Sequence, residues 1–406
     1  MASQPTKVER IAKALDHFSI EIPSWGFANT GTRFGKFLQP AAATTIEEKF
    51  ADAAQVNTLT GVNPTLALHV EWDLPNGVAD VPAIRQLERK YAVRAGSINP
   101  NLFQDQQYKF GSICNPDIEI RERATTHILD CVEIAKRLES RDIAPWLPDG
   151  SNYPGTQSIR NRIAWMEESF SRVHAALAPN QRLLIEYKPF EPAFYHTDIA
   201  DWGMALEVAR NAGPQAFVLV DTGHHYQAQN IEQIVAWLLH LKRLGGFHFN
   251  DRRYADDDLT LGSIDPYQVF RIFHQLLADQ HSVDPSLNSS ASATQDVAFM
   301  IDQSHNLKGK MEAMVQTVAT AEELYAKAAL VELEKLEELQ QRCKLVEAEE
   351  CFRAAFWEDV RPLVQEWRKS RNLPEDPLKA LARSGYVEQI TAERASRTMK
   401  AITSYA

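Results

Sequence analysis

Residues 245–263, GGFHFNDRRYADDDLTLGS, begin as an apolar run fit for a core strand and pass within a few positions into His248, Asp251, Asp256, Asp257 and Asp258. A buried strand that ends in metal-binding side chains is the mark of a parallel sheet whose strand ends carry the chemistry. Seven further runs of strand length lie at 20–27, 65–73, 94–103, 143–150, 182–189, 216–223 and 297–304. Helical patterns separate them, among them IEEKFADAAQVNTL, IRNRIAWMEESFSRVHAALA and NIEQIVAWLLHLKRLG. Strands that alternate with helices pair in parallel, because each helix crosses back over the sheet, and eight such units close into a barrel. The expected fold is α/β, a (β/α)8 TIM barrel over residues 1–307 with an N-terminal helix, its apolar GGFHF half filling the barrel. An open doubly wound sheet is the other arrangement, but no GxGxxG follows the first strand, which counts against its dinucleotide-binding form.

Past residue 307 strand patterns stop, and the Ala/Leu/Glu/Lys-rich remainder predicts a helical extension over 308–406 that packs on the barrel or on another subunit. With 406 residues, 44% apolar, 24% charged and a net charge of -11, the chain has ordinary globular composition, and an acidic balance is poorly suited to a nucleic-acid backbone. No stretch has the length and apolarity of a membrane span, and the first residues lack a signal-peptide core, so a cytoplasmic location is expected. Cys114, Cys131, Cys343 and Cys351 form no CxxC pair and read as reduced packing thiols.

In a barrel of this kind the working groups sit at the C-terminal strand ends. Those positions hold Trp25 after the first strand, His69, Trp72 and Asp73 after the second, Trp146 after the fourth, and Glu186 and Lys188 after the fifth. Asp221 and His224 follow the sixth, His248, Asp256 and Asp258 the seventh, and Asp302 the eighth. Alone, each has an ordinary explanation: a DxD pair is usually solvated surface, a single histidine a structural one, a tryptophan a packing residue. Together at successive strand ends they are costly to bury unless a cation joins them. Carboxylates with some imidazole suit Mn2+, Mg2+ or Co2+ better than tetrahedral zinc. Residues two apart on a strand share a face, so Glu186 and Lys188 should both point into the mouth and Tyr187 away from it. Asp256 and Asp258 can chelate one ion from a single loop.

The segments IEYK (185–188), VDTGHH (220–225), GFHFNDRRYADDDLTLGS (246–263), MIDQSHN (300–306), HVEWD (69–73) and WLPDG (146–150) resemble the xylose-isomerase-like barrels, and within them the broad-specificity L-rhamnose isomerases. The resemblance spans nearly the whole barrel. It implies two divalent ions, manganese first: a structural one held by Glu186, Asp221, His248 and Asp302, and a catalytic one held by His224, Asp256 and Asp258. His248 departs from the all-carboxylate first site of ordinary xylose isomerases, as it does in rhamnose isomerases. The resemblance further implies a homotetramer in which an aromatic residue of a neighbouring subunit reaches the site, and the matching stretch NTGTRFGKF makes Phe34 the candidate.

The expected reaction is interconversion of an aldose and its ketose, L-rhamnose and L-rhamnulose with other aldoses, by metal-assisted hydride shift between C1 and C2. Lys188 would stabilise the developing oxyanion, His69, with Asp73 or another acid nearby, would assist ring opening, and Asp302 would serve as base if the hydrogen instead moves as a proton. Trp25, Phe34, Trp72 and Trp146 would wall the sugar. A ketose 3-epimerase, a phosphodiester hydrolase on the same barrel and a non-enzymatic sugar-binding protein are the competing readings; the acidic charge counts against the hydrolase and Lys188 against the binder.

Overall fold

Eight strands pair in chain order, every pair parallel: β1 (Ile22–Pro23), β2 (Thr65–His69), β3 (Arg94–Asn99), β4 (Asp142–Ile143), β5 (Arg182–Glu186), β6 (Ala216–Asp221), β7 (Leu244–Phe249) and β8 (Ala298–Ile301). The ring closes beside β1, where the Glu21 N–H donates to the Phe299 carbonyl (2.8 Å) and the Ile301 N–H donates to the Glu21 carbonyl (2.9 Å). The computed structural model describes residues 5–29, 37–189, 196–281, 296–304 and 307–398. Phe34 lies outside them.

The strands are shorter than the apolar runs that announce them, because each chain leaves the sheet where its side chains turn into the mouth. At the end of β1, Pro23 has no N–H to continue a ladder, and the chain tightens into a 3-10 turn over Ser24–Phe27. Alternation sorts the remaining side chains into two cores. Leu184, Leu219 and Met300 point inward and, with Ala144, Phe217 and Ala298, plug the barrel. Phe247 and Phe249 do not fill the barrel as expected. Their rings stack at 4.8 Å and pack with Phe273 and Phe299 in the layer between strands and helices. A period of two requires this: if His248 faces the mouth, its neighbours face out. Beside the plug, a Cβ at Gly245 would meet Leu184 Cδ2 at 2.5 Å, so glycine lets β7 lie close to its neighbours.

The outer helices are α1 (Lys7–Leu15), α2 (Ile46–Thr60), α3 (Val81–Tyr91), α4 (Ile118–Leu138), α5 (Ile159–Ala176), α6 (Trp202–Ala212), α7 (Ile231–His240) and α8 (Pro266–His281). Their starts are chemically marked: Thr6 with Glu9 and Thr45 with Glu48 form capping boxes on α1 and α2, and Asp117, Asp201 and Asn230 cap α4, α6 and α7. After β8 comes α9 (Lys310–Ala329), whose Met314, Val315, Val318 and Ala321 are fully buried where it packs on α8, α1 and α2. This helix continues the outer ring across residue 307.

Five helices follow: α10 (Leu333–Gln341), α11 (Leu345–Trp357), α12 (Arg361–Ser370), α13 (Pro377–Ser384) and α14 (Tyr386–Thr398). They are fastened by buried charge. Arg368 of α12 pairs with Glu322 of α9. Arg394 of α14 grips Asp52 of α2 through two hydrogen bonds (2.8 and 2.9 Å), and the Tyr386 hydroxyl donates to the same carboxylate at 2.7 Å. Removing one member of such a pair strands a desolvated charge, which costs about 3–5 kcal/mol. Arg394→Met should therefore lower unfolding free energy by about 3 kcal/mol in urea, and Asp52→Leu with Arg394→Met should recover most of that loss.

Candidate metal centre

The inward ends of β5, β6, β7 and β8 deliver Glu186, Asp221, His248 and Asp302, whose ligand atoms all lie within 4.8 Å of one another. Asp221, His224 and Asp256 form a second group of the same tightness, so Asp221 belongs to both. Six of the seven proposed ligands are thus brought together. Asp258 is not in either group. It sits in a left-handed backbone conformation (φ 49°) and lines the adjoining cavity with Glu186 and Asp302.

Local structure holds these groups in place. Asp221 accepts the Gly223 N–H (2.6 Å) and both its oxygens face the Asn250 amide nitrogen at 3.0 and 3.2 Å. A Cβ at Gly223 would stand 2.7 Å from Asn250 Oδ1 and 2.8 Å from Asp256 Oδ1, so a larger residue would push these groups out of place. The His224 Nδ1–H donates to the Tyr187 carbonyl at 3.1 Å, which leaves Nε2 as the coordinating nitrogen, 3.3 Å from Asp256 Oδ2 and 3.9 Å from Asp221 Oδ2. Metal-binding histidines are oriented in this way by a carbonyl behind the ring. His248 Nδ1 is buried without a well-aligned hydrogen bond, 3.3 Å from Glu186 Oε1 and 3.8 Å from Asp302 Oδ2. The Trp25 indole N–H donates to Asp302 Oδ1 at 2.8 Å, so this tryptophan holds a candidate ligand as well as walling the cavity.

Burial pushes the Asp221 carboxyl up to about 7, with His224 opposing and Asp256 and Glu186 adding to the rise. Burial also raises Asp302. Burial would raise Glu186 too, but His248 and His224 hold it down at about 2. Burial would lower His248, yet Glu186 and Asp302 lift it to about 9. Acidic groups and imidazoles are here adjusting to one another's charge, which only protons or a cation can balance. The oxygen-rich donors, the His224 orientation and the unsatisfied His248 nitrogen fit a divalent ion.

Beside the ligands, Trp25, His69, Trp72, Phe103 and Trp146 line an open cavity that also reaches Glu186 and Asp302. His69 stacks on Trp72 with centroids 4.1 Å apart, and Phe103 lies edge-on to His69 at 5.4 Å and tilted to Trp146 at 5.3 Å. Phe103 carries a sequence signal, since it ends the third apolar run, but is not among the expected wall residues; Asn250 carries none, because nothing local separates a ligand-orienting amide from an ordinary loop residue. Lys188 is buried, with Nζ 2.5 Å from Asp256 Oδ2 and 5.2 Å from the Trp146 ring centre. Tyr187 faces away, as alternation requires, its hydroxyl 2.6 Å from His225 Nε2.

Asp73 departs from its expected place at the His69 ring. It accepts the Lys49 ammonium (2.5 Å), the Ser24 hydroxyl (2.5 Å) and the His69 backbone N–H (2.8 Å), whereas the His69 Nδ1–H donates to the Val70 carbonyl at 3.1 Å. A carbonyl can only accept, so Nδ1 carries the proton and Nε2 is the acceptor. Burial holds the imidazole down to about 4, and it is neutral at pH 7.

The fold and site together define a class: an eight-stranded parallel barrel whose C-terminal mouth carries a carboxylate and imidazole cluster able to hold a metal ion. The chain belongs to the xylose isomerase-like TIM barrel family, whose model matches residues 59–283. It is 36% identical to a probable sugar isomerase of Rhizobium meliloti (strain 1021) over 399 residues, 97% of this chain and 90% of the relative. A probable sugar isomerase of Mesorhizobium japonicum is also 36% identical, over 96% of this chain and 89% of the relative. Among solved structures, the 3-keto-D-glucoside 4-epimerase of E. coli shares the fold with a TM-score of 0.52 at 14% identity, over 74% of this chain and 98% of its own.

Ligand binding to the folded state alone adds stability, about 2.7 kcal/mol at a hundredfold excess over Kd. Mn2+ should raise the melting temperature of chelator-treated protein, and Asp221→Asn, which alters the carboxylate common to both groups, should remove most of that rise in a thermal-shift titration.

Proposed function

We propose that the protein is a metal-dependent aldose-ketose isomerase of the L-rhamnose isomerase type, interconverting L-rhamnose and L-rhamnulose and accepting related aldoses. The observation that carries this reading is the meeting, in one mouth, of two overlapping ligand groups, a buried lysine and an aromatic wall. The two relatives named as probable sugar isomerases support the same class.

Two divalent cations, manganese first and cobalt or magnesium as substitutes, would polarise the sugar's O1 and O2 and stabilise the charge that develops as hydrogen moves. Glu186, Asp221, His248 and Asp302 would hold one; His224 and Asp256, sharing Asp221 and joined by Asp258, would hold the other. In the reaction the C2–H bond breaks and a C1–H bond forms, while the O2 proton leaves and O1 gains one. His69 Nε2, neutral, would take the anomeric hydroxyl proton as the C1–O5 bond breaks and return it to O5, which becomes a hydroxyl. Lys188 donates to O1 as negative charge builds there. Trp25, Trp72, Trp146 and Phe103 exclude water and receive the C–H face and C6 methyl of a deoxyhexose, with Phe34 of a neighbouring subunit completing the wall. Asp302 is the base for the alternative route, in which the hydrogen moves as a proton through an enediol.

The homotetramer belongs to the same proposal, with the helices beyond the barrel among its contacts. Phe37, Phe110, Tyr153 and Tyr254, in the segments that follow β1, β3, β4 and β7, are 72%, 53%, 58% and 79% exposed, apolar surface suited to contact with a second copy. A sugar substrate then places the protein with small-molecule partners, and a cytoplasmic location accords with it. Among the described residues no helix is long and apolar enough to cross a membrane.

Metal-stripped protein incubated with a panel of aldoses should form ketoses only after Mn2+ is restored, L-rhamnose being the best substrate; epimers of a supplied ketose with no aldose-ketose exchange would refute the isomerase. With L-rhamnose deuterated at C2, hydride shift retains the label at C1 of the product, whereas the enediol route loses it to water. Asp256→Asn should abolish turnover without unfolding the chain. Lys188→Met should lower kcat at least a hundredfold with little change in KM, the sign of a transition-state contact.

A further inference from the structure

We propose that Lys188 also regulates the second ligand group: its ammonium competes with a divalent ion for Asp256, so the second ion binds weakly until a sugar oxygen draws the lysine away. The inference rests on the reading above in taking Asp221, His224 and Asp256 as cation ligands. Asp256 Oδ2 is the shared atom, 2.5 Å from Lys188 Nζ and 3.3 Å from His224 Nε2. Lys188 and Asp256 are 3% and 7% exposed, so water screens little of the repulsion between an ammonium and a divalent ion on one carboxylate.

The first group is built differently. Among the described residues no lysine or arginine forms an ion pair with Glu186, Asp221 or Asp302; the groups paired with them are His224 and His248, and Arg252 acts on Asp221 only through its longer-range field. An imidazole stops competing by losing its proton and becoming a ligand, whereas an ammonium on a flexible stem must be moved or neutralised. Asp221 lies in both groups, so an ion in the first also opposes one in the second, but that effect does not depend on Lys188.

The lysine has somewhere to go. It lines a cavity with Gly223, His224, Tyr254 and Asp256, and its ammonium lies over Trp146, which lines the aromatic cavity beside it. A sugar oxygen there would exchange one acceptor for another along the side chain's own reach. Because binding free energies are reciprocal, sugar tightens the second ion and the second ion tightens sugar by the same factor.

The test is a Mn2+ titration of the chelator-treated full-length protein, followed by the EPR signal of free Mn2+, in wild type, Lys188→Met and Lys188→Arg. Wild type should bind one ion tightly and a second more weakly. In Lys188→Met the second ion should bind at least tenfold tighter and the first within twofold, while Lys188→Arg should behave as wild type. Lys188→Gln serves if the methionine variant does not fold. Adding L-rhamnitol, a polyol that cannot isomerise, should tighten the second ion in wild type but not in Lys188→Met. A second-ion affinity unchanged or weaker in Lys188→Met, or equal gains in the arginine and methionine variants, overturns the competition; an equal rhamnitol effect in both proteins overturns its link to sugar. Absence of Mn2+ binding in every protein would refute both this inference and the metal assignment. Normal Mn2+ binding without aldose turnover would refute the isomerase alone, and the lysine comparison would still decide this proposal.

Discussion

Four carboxylates and two imidazoles forced together at one end of a barrel are the constraint around which the protein is built. Asp221 has no exposure, Glu186 and His248 are almost fully enclosed, and each is within a few ångströms of another charge. Such a cluster is unfavourable by burial and by repulsion between its acids. Besides the pairing of acids with imidazoles and Lys188, support from the surrounding chain keeps it assembled: the Asn250 amide and Gly223 N–H on Asp221, the Tyr187 carbonyl behind His224 and the Trp25 indole on Asp302.

The barrel supplies that support by separating three environments along each strand. The apolar plug of Leu184, Leu219 and Met300 lies one step below Glu186, Asp221 and Asp302 on the same inward face, so water is excluded beneath the charges. Outward residues such as Phe247 and Phe249 bind the strands to the helices. At the mouth the wall divides, with ligands on β5 to β8 and aromatic rings after β1 to β4. A substrate lying across that division meets charge on one side and an apolar surface on the other, which suits a sugar with both hydroxyl groups and C–H faces. Asp73 adds to the aromatic half without touching substrate chemistry directly, since it binds Lys49, Ser24 and the His69 backbone and so fixes the chain that presents His69 and Trp25.

Far from the mouth, buried ion pairs play the corresponding role for the outer helices. Arg394 with Asp52 and Arg368 with Glu322 connect segments more than 40 residues apart in sequence. These pairs favour one docking arrangement because any other leaves a desolvated charge without its counter-charge.

The barrel was legible in the sequence because periodicity and punctuation are local. Alternating strand runs and helical patterns, and Thr-x-x-Glu caps such as Thr45 with Glu48, state their structure within a few residues. The strand-end rule singles out Glu186, Asp221, His224, His248, Asp256 and Asp302 from the sequence alone. Other features depended on contacts between distant segments: the direction of Phe247 and Phe249 once His248 faces inward, the place of Phe103 in the aromatic wall, the Asn250 support for Asp221, the diversion of Asp73 to Lys49 and the position of Asp258 outside both groups. The amino-acid order by itself determined which elements form and which chemical groups stand at their ends. Only the closed tertiary structure decided which of those groups touch, because pairing energies among carboxylates, imidazoles and lysines depend on distances and dielectric that no single segment contains.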